Sequence, residues 1–283
     1  MKPNPKFQNL PKHFWADVKL ISQEVGYTIK KTKTEDSKVK ITTVTEIREK
    51  YNNLGLTVEH IASPTNEPTE YGQNLLDYFS YRADVLNNKV QYHLMDKDGA
   101  KSLFEKLHNE LNPKCPIPMN KQKGDKQTFM YLTGIVNMLI EANIGESACD
   151  YDPRSLTTIT KNSIPLRTLS RRVDGAFPST VNPIAIWEIK EYYSTTTFGS
   201  RVADGVYETL LDGLELEELY NSEGRKILHY LIVDNYLTWW VQGRSYLCRM
   251  IDMLNMGYVD QVMFGNEVVD EIPELAKSWL DVK

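Results

Sequence analysis

Two carboxylates and a lysine stand on what read as two neighbouring strands, where they could meet at one divalent cation. Asp174 stands in Arg171-Arg172-Val173-Asp174-Gly175, and Glu188 and Lys190 stand in Ile186-Trp187-Glu188-Ile189-Lys190-Glu191. The run from 184 to 189 is apolar apart from Glu188, rich in β-branched residues and preceded by Pro183, which reads as a strand buried on both faces. Side chains alternate along a strand, so Glu188 and Lys190 share one side and Trp187 and Ile189 the other. An acid and a lysine entering at the end of a buried strand are costly to desolvate unless a metal, a partner charge or solvent compensates them. Asp174 follows the β-compatible run 166–173, and residues 178–183 supply turn chemistry between the two runs. Paired as an antiparallel hairpin, the two strands bring Asp174 and Glu188 to one divalent cation. Two oxygen donors with open positions suit Mg²⁺, which keeps waters and takes substrate phosphate. Lys190 is then placed to orient or deprotonate the attacking water and to offset charge on the phosphate. The plainer reading makes Asp174 a turn residue before Gly175, and Glu188 and Lys190 rim residues of an ordinary strand. The flanking strand pattern favours the site.

This pattern resembles the PD-(D/E)xK nuclease superfamily, the fold of most type II restriction endonucleases. Asp174, Glu188 and Lys190 match its motif residue by residue, and Val173 stands where a Pro is common. The resemblance implies an α/β protein with an αβββαβ core, a mixed central sheet flanked by helices. It also implies Mg²⁺-dependent cleavage of double-stranded DNA, and a homodimer whose two-fold axis matches a palindromic site. In that superfamily an acid on the helix before the first core strand often supports the metal. Glu141, near the end of the helix expected over 129–144, is therefore a fourth candidate; the other reading is a solvent-facing helix-end glutamate.

The elements that must position these residues follow from periodicity. Helices are expected over 11–26, 43–54, 71–86, 99–111, 129–144, 201–220 and 246–256. Thr43 and Glu46 spell a capping box. The helix it opens could be part of a helix-turn-helix or winged-helix reader, but without a second amphipathic helix directly after it a plain helical hairpin is the favoured reading. In the 201–220 helix, Val202, Val206, Leu210 and Leu214 are expected inward, and Asp204, Glu208, Asp212 and Glu215 outward as a solvated acidic stripe. Buried strands are expected at 226–234 and 259–264, with His229 a packed strand residue. A Pro-rich, then Lys-rich stretch near 112–126 reads as a seam between a mainly helical N-terminal recognition region, 1–120, and a catalytic core, 121–283. Lys121, Lys123 and Lys126 on that seam are candidates for DNA-backbone contact or a solvated linker.

The bulk numbers narrow the function classes. With 283 residues, 41% hydrophobic and 25% charged, the chain has the composition of a soluble globular protein. A net charge of −5 argues against non-specific coating of nucleic acid. The charge is uneven, however: residues 1–130 hold 20 basic against 16 acidic residues, the remainder 13 against 22. Cys115, Cys149 and Cys248 are isolated, which disfavours zinc, and with no signal-like N-terminus they point to a reducing cytoplasm. No run approaches a membrane span and no phosphate-binding Gly-Lys loop occurs, so neither a membrane nor a nucleotide cofactor is expected. The leading expectation is a type II restriction endonuclease. The alternatives are a repair, phage-defence or modification-dependent nuclease of the same fold, and a non-catalytic DNA-binding protein.

Overall fold

The computed structural model describes residues 1–33, 36–119, 128–193 and 199–282. The lysines expected at the seam, Lys121, Lys123 and Lys126, lie outside the described residues.

The N-terminal part is mainly helical. It comprises α1 (Lys12–Val25), a small antiparallel pair β1 (Thr28–Ile29) and β2 (Lys38–Val39), α2 (Val44–Asn53) and α3 (Glu70–Val85). A π turn, Leu86–Val90, leads from α3 into α4 (Gln91–His93) and then α5 (Lys97–Leu111). The capping box forms as expected, with the Thr43 amide donating to Glu46 at 3.0 Å and the Glu46 amide donating back to Thr43 Oγ1 at 3.4 Å. Among the described residues no helix-turn-helix follows. The next helix starts only at Glu70, too far on for the three- or four-residue turn that motif requires.

The sheet that carries the chemistry comes after α6 (Tyr131–Ile144). An antiparallel pair, β3 (Thr158–Lys161) with β4 (Ile164–Thr168), stands apart from it. The central sheet has the order β5 (Gly175–Phe177), β6 (Ala185–Lys190), β7 (Leu228–Val233), β8 (Gln261–Phe264). β5 runs antiparallel to β6, and β6, β7 and β8 are mutually parallel, joined by α7 (Ser200–Glu223) and α8 (Arg244–Met256). Asp150 adds a single antiparallel bridge to Ala176 on the outer edge of β5. The chain ends in α9 (Val268–Leu280). The protein is thus mixed α/β, with a four-stranded mixed sheet between helices, as expected at that level.

One expectation is corrected, and one helix is added. The partner of the Glu188 strand is β5, not the 166–173 run, whose first part pairs as β4 with β3 because its polar, exposed residues suit a surface hairpin. α9 was not foreseen, since Pro273 interrupts its pattern, yet it places Trp279 flat against Trp187, ring centres 5.5 Å apart.

All six residues of β6 are buried, so its two faces pack different helices. Trp187 and Ile189 join a core with residues of α5, α6 and α9. Leu231 and Val233 of β7 join the opposite core with Val202 and Val206 of α7 and Leu247 and Ile251 of α8. α5 shares its core with α6, and Val39, Val85, Leu86 and Val90 ahead of it share the opposite core with β7 and α8.

Candidate active site

Asp174 lies one residue before β5. Its amide donates to the Trp187 carbonyl at 3.1 Å, which continues the β5–β6 ladder. Its side chain turns back over the neighbouring strand, and Oδ2 accepts from the Ile189 amide at 2.7 Å. Ile189 is the residue between Glu188 and Lys190, so all three sequence candidates meet on one stretch of β6. Gly175 is required here, because a Cβ at that position would overlap the Trp187 indole.

Glu188 is fully buried and held by two cations. Arg171 faces it with both terminal nitrogens, Nη1 2.7 Å from Oε1 and Nη2 2.9 Å from Oε2, and Lys190 Nζ donates to Oε2 at 2.9 Å. Both cations reach on to α7. Lys190 Nζ lies 3.1 Å from Glu208, and Arg171 Nη1 donates to Asp212 Oδ2 at 2.6 Å. The expected solvated stripe on α7 is therefore corrected at two of its members. Asp212 is 0% exposed, Glu208 is half-exposed and aimed at Lys190, and Leu214, expected inward, is exposed instead. Glu208 and Asp212 sit one helical turn apart, the spacing that presents two side chains to one partner. The cations opposite them were visible in the sequence, but which face of α7 met those cations depended on the fold.

The electrostatics express this crowding. Burial, then the neighbouring Glu188 charge, pushes Asp174 up to about 7, and the same two causes push Asp212 up to about 7. Burial would also raise Glu188, but Lys190 and Arg171 outweigh it and hold Glu188 below the ordinary carboxylate range. Burial disfavours the Lys190 charge, yet Glu188 and Asp174 hold it above its ordinary range, so it is a firm ammonium at neutral pH.

The donor set fits a hard divalent cation. With every group ionised, the four carboxylates exceed the two cations by two charges. Asp212 Oδ1 and Glu188 Oε1 are buried and accept no hydrogen bond, although Arg171 Nη1 lies 2.7 Å from Glu188 Oε1 as an ion pair. Among the described residues no three acids, cysteines or histidines form a ready-made cage. Mg²⁺ needs none, since it keeps several waters and takes one or two carboxylates. Asp174 and Glu188 are the two that would hold it.

Two family profiles cover this architecture. The domain of unknown function DUF7687 matches residues 95–279, from just ahead of α5 to the end of α9. The chain belongs to the DUF7687 family. A second domain of unknown function, DUF7690, matches residues 1–89. No curated protein and no solved structure matches the chain. The DUF7687 segment contains every residue of the site, Arg171 and α7 included.

Glu141, the fourth sequence candidate in the DUF7687 segment, does not join the site. α6 packs on the Trp187 and Ile189 face of β6, away from Glu188, and Glu141 Oε2 accepts from the Lys114 amide at 2.9 Å. The acid that α6 does engage is Glu191. It accepts from both the amide and the hydroxyl of Thr133, at 2.9 and 3.0 Å, and so caps a helix that has no N-cap side chain of its own. On the far side, Asp234 accepts from the Tyr192 amide and, at 2.8 Å, from Trp239 Nε1. Together Glu191 and Asp234 fix the chain directly after Lys190. No described helix is long and apolar enough to cross a membrane.

Proposed function

We propose that the chain is a Mg²⁺-dependent endodeoxyribonuclease of the type II restriction kind, hydrolysing phosphodiesters at specific sites in double-stranded DNA. The observation that carries this reading is the placement of the Asp174 carboxylate on the amide between Glu188 and Lys190. It is supported by the succession of α6, the Asp150 bridge, the β5–β6 hairpin, α7 and the parallel strand β7, the order of an αβββαβ core with the β3–β4 hairpin inserted between Asp150 and β5.

In this mechanism Mg²⁺, when bound, supplies Lewis acidity toward a phosphoryl oxygen and acidifies a water. Asp174 and Glu188 provide its protein ligands, and their buried setting strengthens every charge interaction there. Lys190 stands beside Glu188, its Nζ 2.9 Å from Oε2. It orients the attacking water and offsets charge building on the phosphate. Arg171 shares Glu188 and Asp212 in its guanidinium fork, which limits how far either carboxylate swings when a ligand arrives.

The test is incubation of the purified chain with unmethylated phage DNA, with Mg²⁺ or with EDTA. Discrete fragments that require Mg²⁺ are expected. A smear would assign a general nuclease, and intact DNA throughout would assign a binding role. A homodimer is part of the proposal, and sedimentation of the chain with and without DNA checks it.

A further inference from the structure

A cleft of about 860 Å³ lies between α1 and the end of the sheet where β7 begins, remote from Lys190 at the other end of β6. Its size is that of a small-molecule site. One wall is a single face of α1, formed by Lys12, Trp15, Ala16 and Lys19, spaced three, four and seven residues apart. Neither lysine pairs with an acid among the described residues, so two free cations flank the small exposed side chain of Ala16.

The floor holds a more unusual group. His229 is 1% exposed and lines the cleft. Its Nδ1 lies 2.9 Å from the Tyr258 carbonyl, which can only accept, so Nδ1 carries the proton and Nε2 presents a lone pair. That Nε2 is buried with no partner. Burial disfavours the imidazolium and keeps the ring neutral, which preserves the acceptor. A buried acceptor without a donor is destabilising, a loss that a ligand N–H or O–H would recover. The remaining wall includes the exposed ring of Tyr220.

From the unpaired lysines, the orphan imidazole acceptor and the aromatic wall of one ligand-sized cleft, we infer that this cleft binds a nucleoside phosphate, either free or as a unit extruded from DNA. The phosphate sits on Lys12 and Lys19, the base lies along Tyr220, and a base N–H or sugar hydroxyl donates to His229 Nε2. The inference is independent of the nuclease reading, because it uses none of the residues around Glu188.

The test uses the full chain in EDTA, so that cleavage cannot contribute. Calorimetric titrations with each of the four 5′-mononucleotides, with inorganic phosphate, and with DNA duplexes with and without one unpaired nucleotide separate the sources. Saturable mononucleotide binding assigns the free ligand, and preference for the duplex with the unpaired nucleotide assigns the extruded one. In either case the Lys12→Ala/Lys19→Ala chain is expected to lose at least about tenfold in affinity. Ala16→Trp, an exposed substitution that fills the cleft, is expected to abolish binding. The ¹⁵N resonance of His229 Nε2 should move on binding, which reads the contact without altering a buried residue. The inference is overturned if neither arm shows saturable binding, if phosphate alone binds as tightly, if Ala16→Trp binds normally, or if the resonance stays fixed at saturation.

Discussion

The Asp174 carboxylate is anchored to the backbone of the strand that carries Glu188 and Lys190, through a 2.7 Å hydrogen bond from Ile189 N–H to Oδ2. Position and charge can therefore be separated at this residue. Asp174→Asn keeps an oxygen that can accept from Ile189 but removes the negative charge a cation requires. Cleavage of phage DNA is expected to fall by ~10³-fold or more, with the far-ultraviolet spectrum and DNA retention in EDTA unchanged within a few-fold. Lys190→Ala should have the same effect on cleavage. Normal cutting by either variant would place the chemistry elsewhere.

Arg171 is the residue whose loss should cost most stability at the site. Among the described residues it alone links Glu188 to Asp212, and Asp212 is buried with one oxygen already lacking a donor. Arg171→Ala strips the other oxygen as well, and breaking a buried pair from one side costs about 3–5 kcal/mol. Arg171 keeps some solvent exposure, so the lower end of that range is expected in urea denaturation at pH 8. Arg171→Lys should recover little, because an ammonium cannot fork across two carboxylates.

The strands and most helices were legible because period-two and helical patterns record which faces are buried, and the Asp174, Glu188 and Lys190 grouping followed from strand alternation and a turn. Glu208 and Asp212 were illegible for a physical reason. An acidic stripe beside an apolar one has the same pattern whether it faces water or a buried cation, and only the approach of α7 to Arg171 and Lys190 decides between them. Glu191 was hidden likewise, since its partner is the start of a helix nearly sixty residues upstream, at Thr133. Glu141 misled because helix-end position says nothing about which face of the sheet a helix covers.

Protons and Mg²⁺ should compete for the site. Asp174 and Asp212 are pushed from 3.8 to about 7 in the folded chain, so between those values the folded state holds protons that the unfolded state has released. Stability from these groups is full below about pH 4 and is lost as pH rises through 7, by up to about 1.4 kcal/mol per group per pH unit. Added Mg²⁺ relieves the repulsion only once the carboxylates are ionised. The Mg²⁺-induced rise in melting temperature is therefore expected to be larger at pH 8 than at pH 6. Glu191, also pushed up to about 7 by its burial, adds to the pH slope without touching the ion. Glu191→Gln should flatten part of the slope and leave the Mg²⁺ shift unchanged; an equal Mg²⁺ shift at both pH values would argue against ion binding by Asp174.

The N-terminal helices should unfold together with the sheet. Arg82 on α3 and Asp252 on α8 form a buried pair, with Nη1 at 2.9 and 3.0 Å from the two carboxylate oxygens. Tyr78 donates to the same carboxylate at 2.5 Å, and Arg82 Nη2 reaches Ser22 of α1 at 3.0 Å, so three helices meet at one charge pair. Asp252→Ala leaves a guanidinium enclosed by apolar and aromatic side chains, at a cost of about 3–5 kcal/mol. Replacing both partners, Arg82→Met with Asp252→Leu, removes the stranded charge and should restore most of that loss. The residue of the loss, about 1 kcal/mol, is the acceptor denied to the Tyr78 hydroxyl. Urea denaturation followed by tryptophan fluorescence and by circular dichroism checks this. One coincident transition, shifted down in Asp252→Ala and most of the way back in the double variant, is expected; two separated transitions would mean that the helices and the sheet fold as independent units.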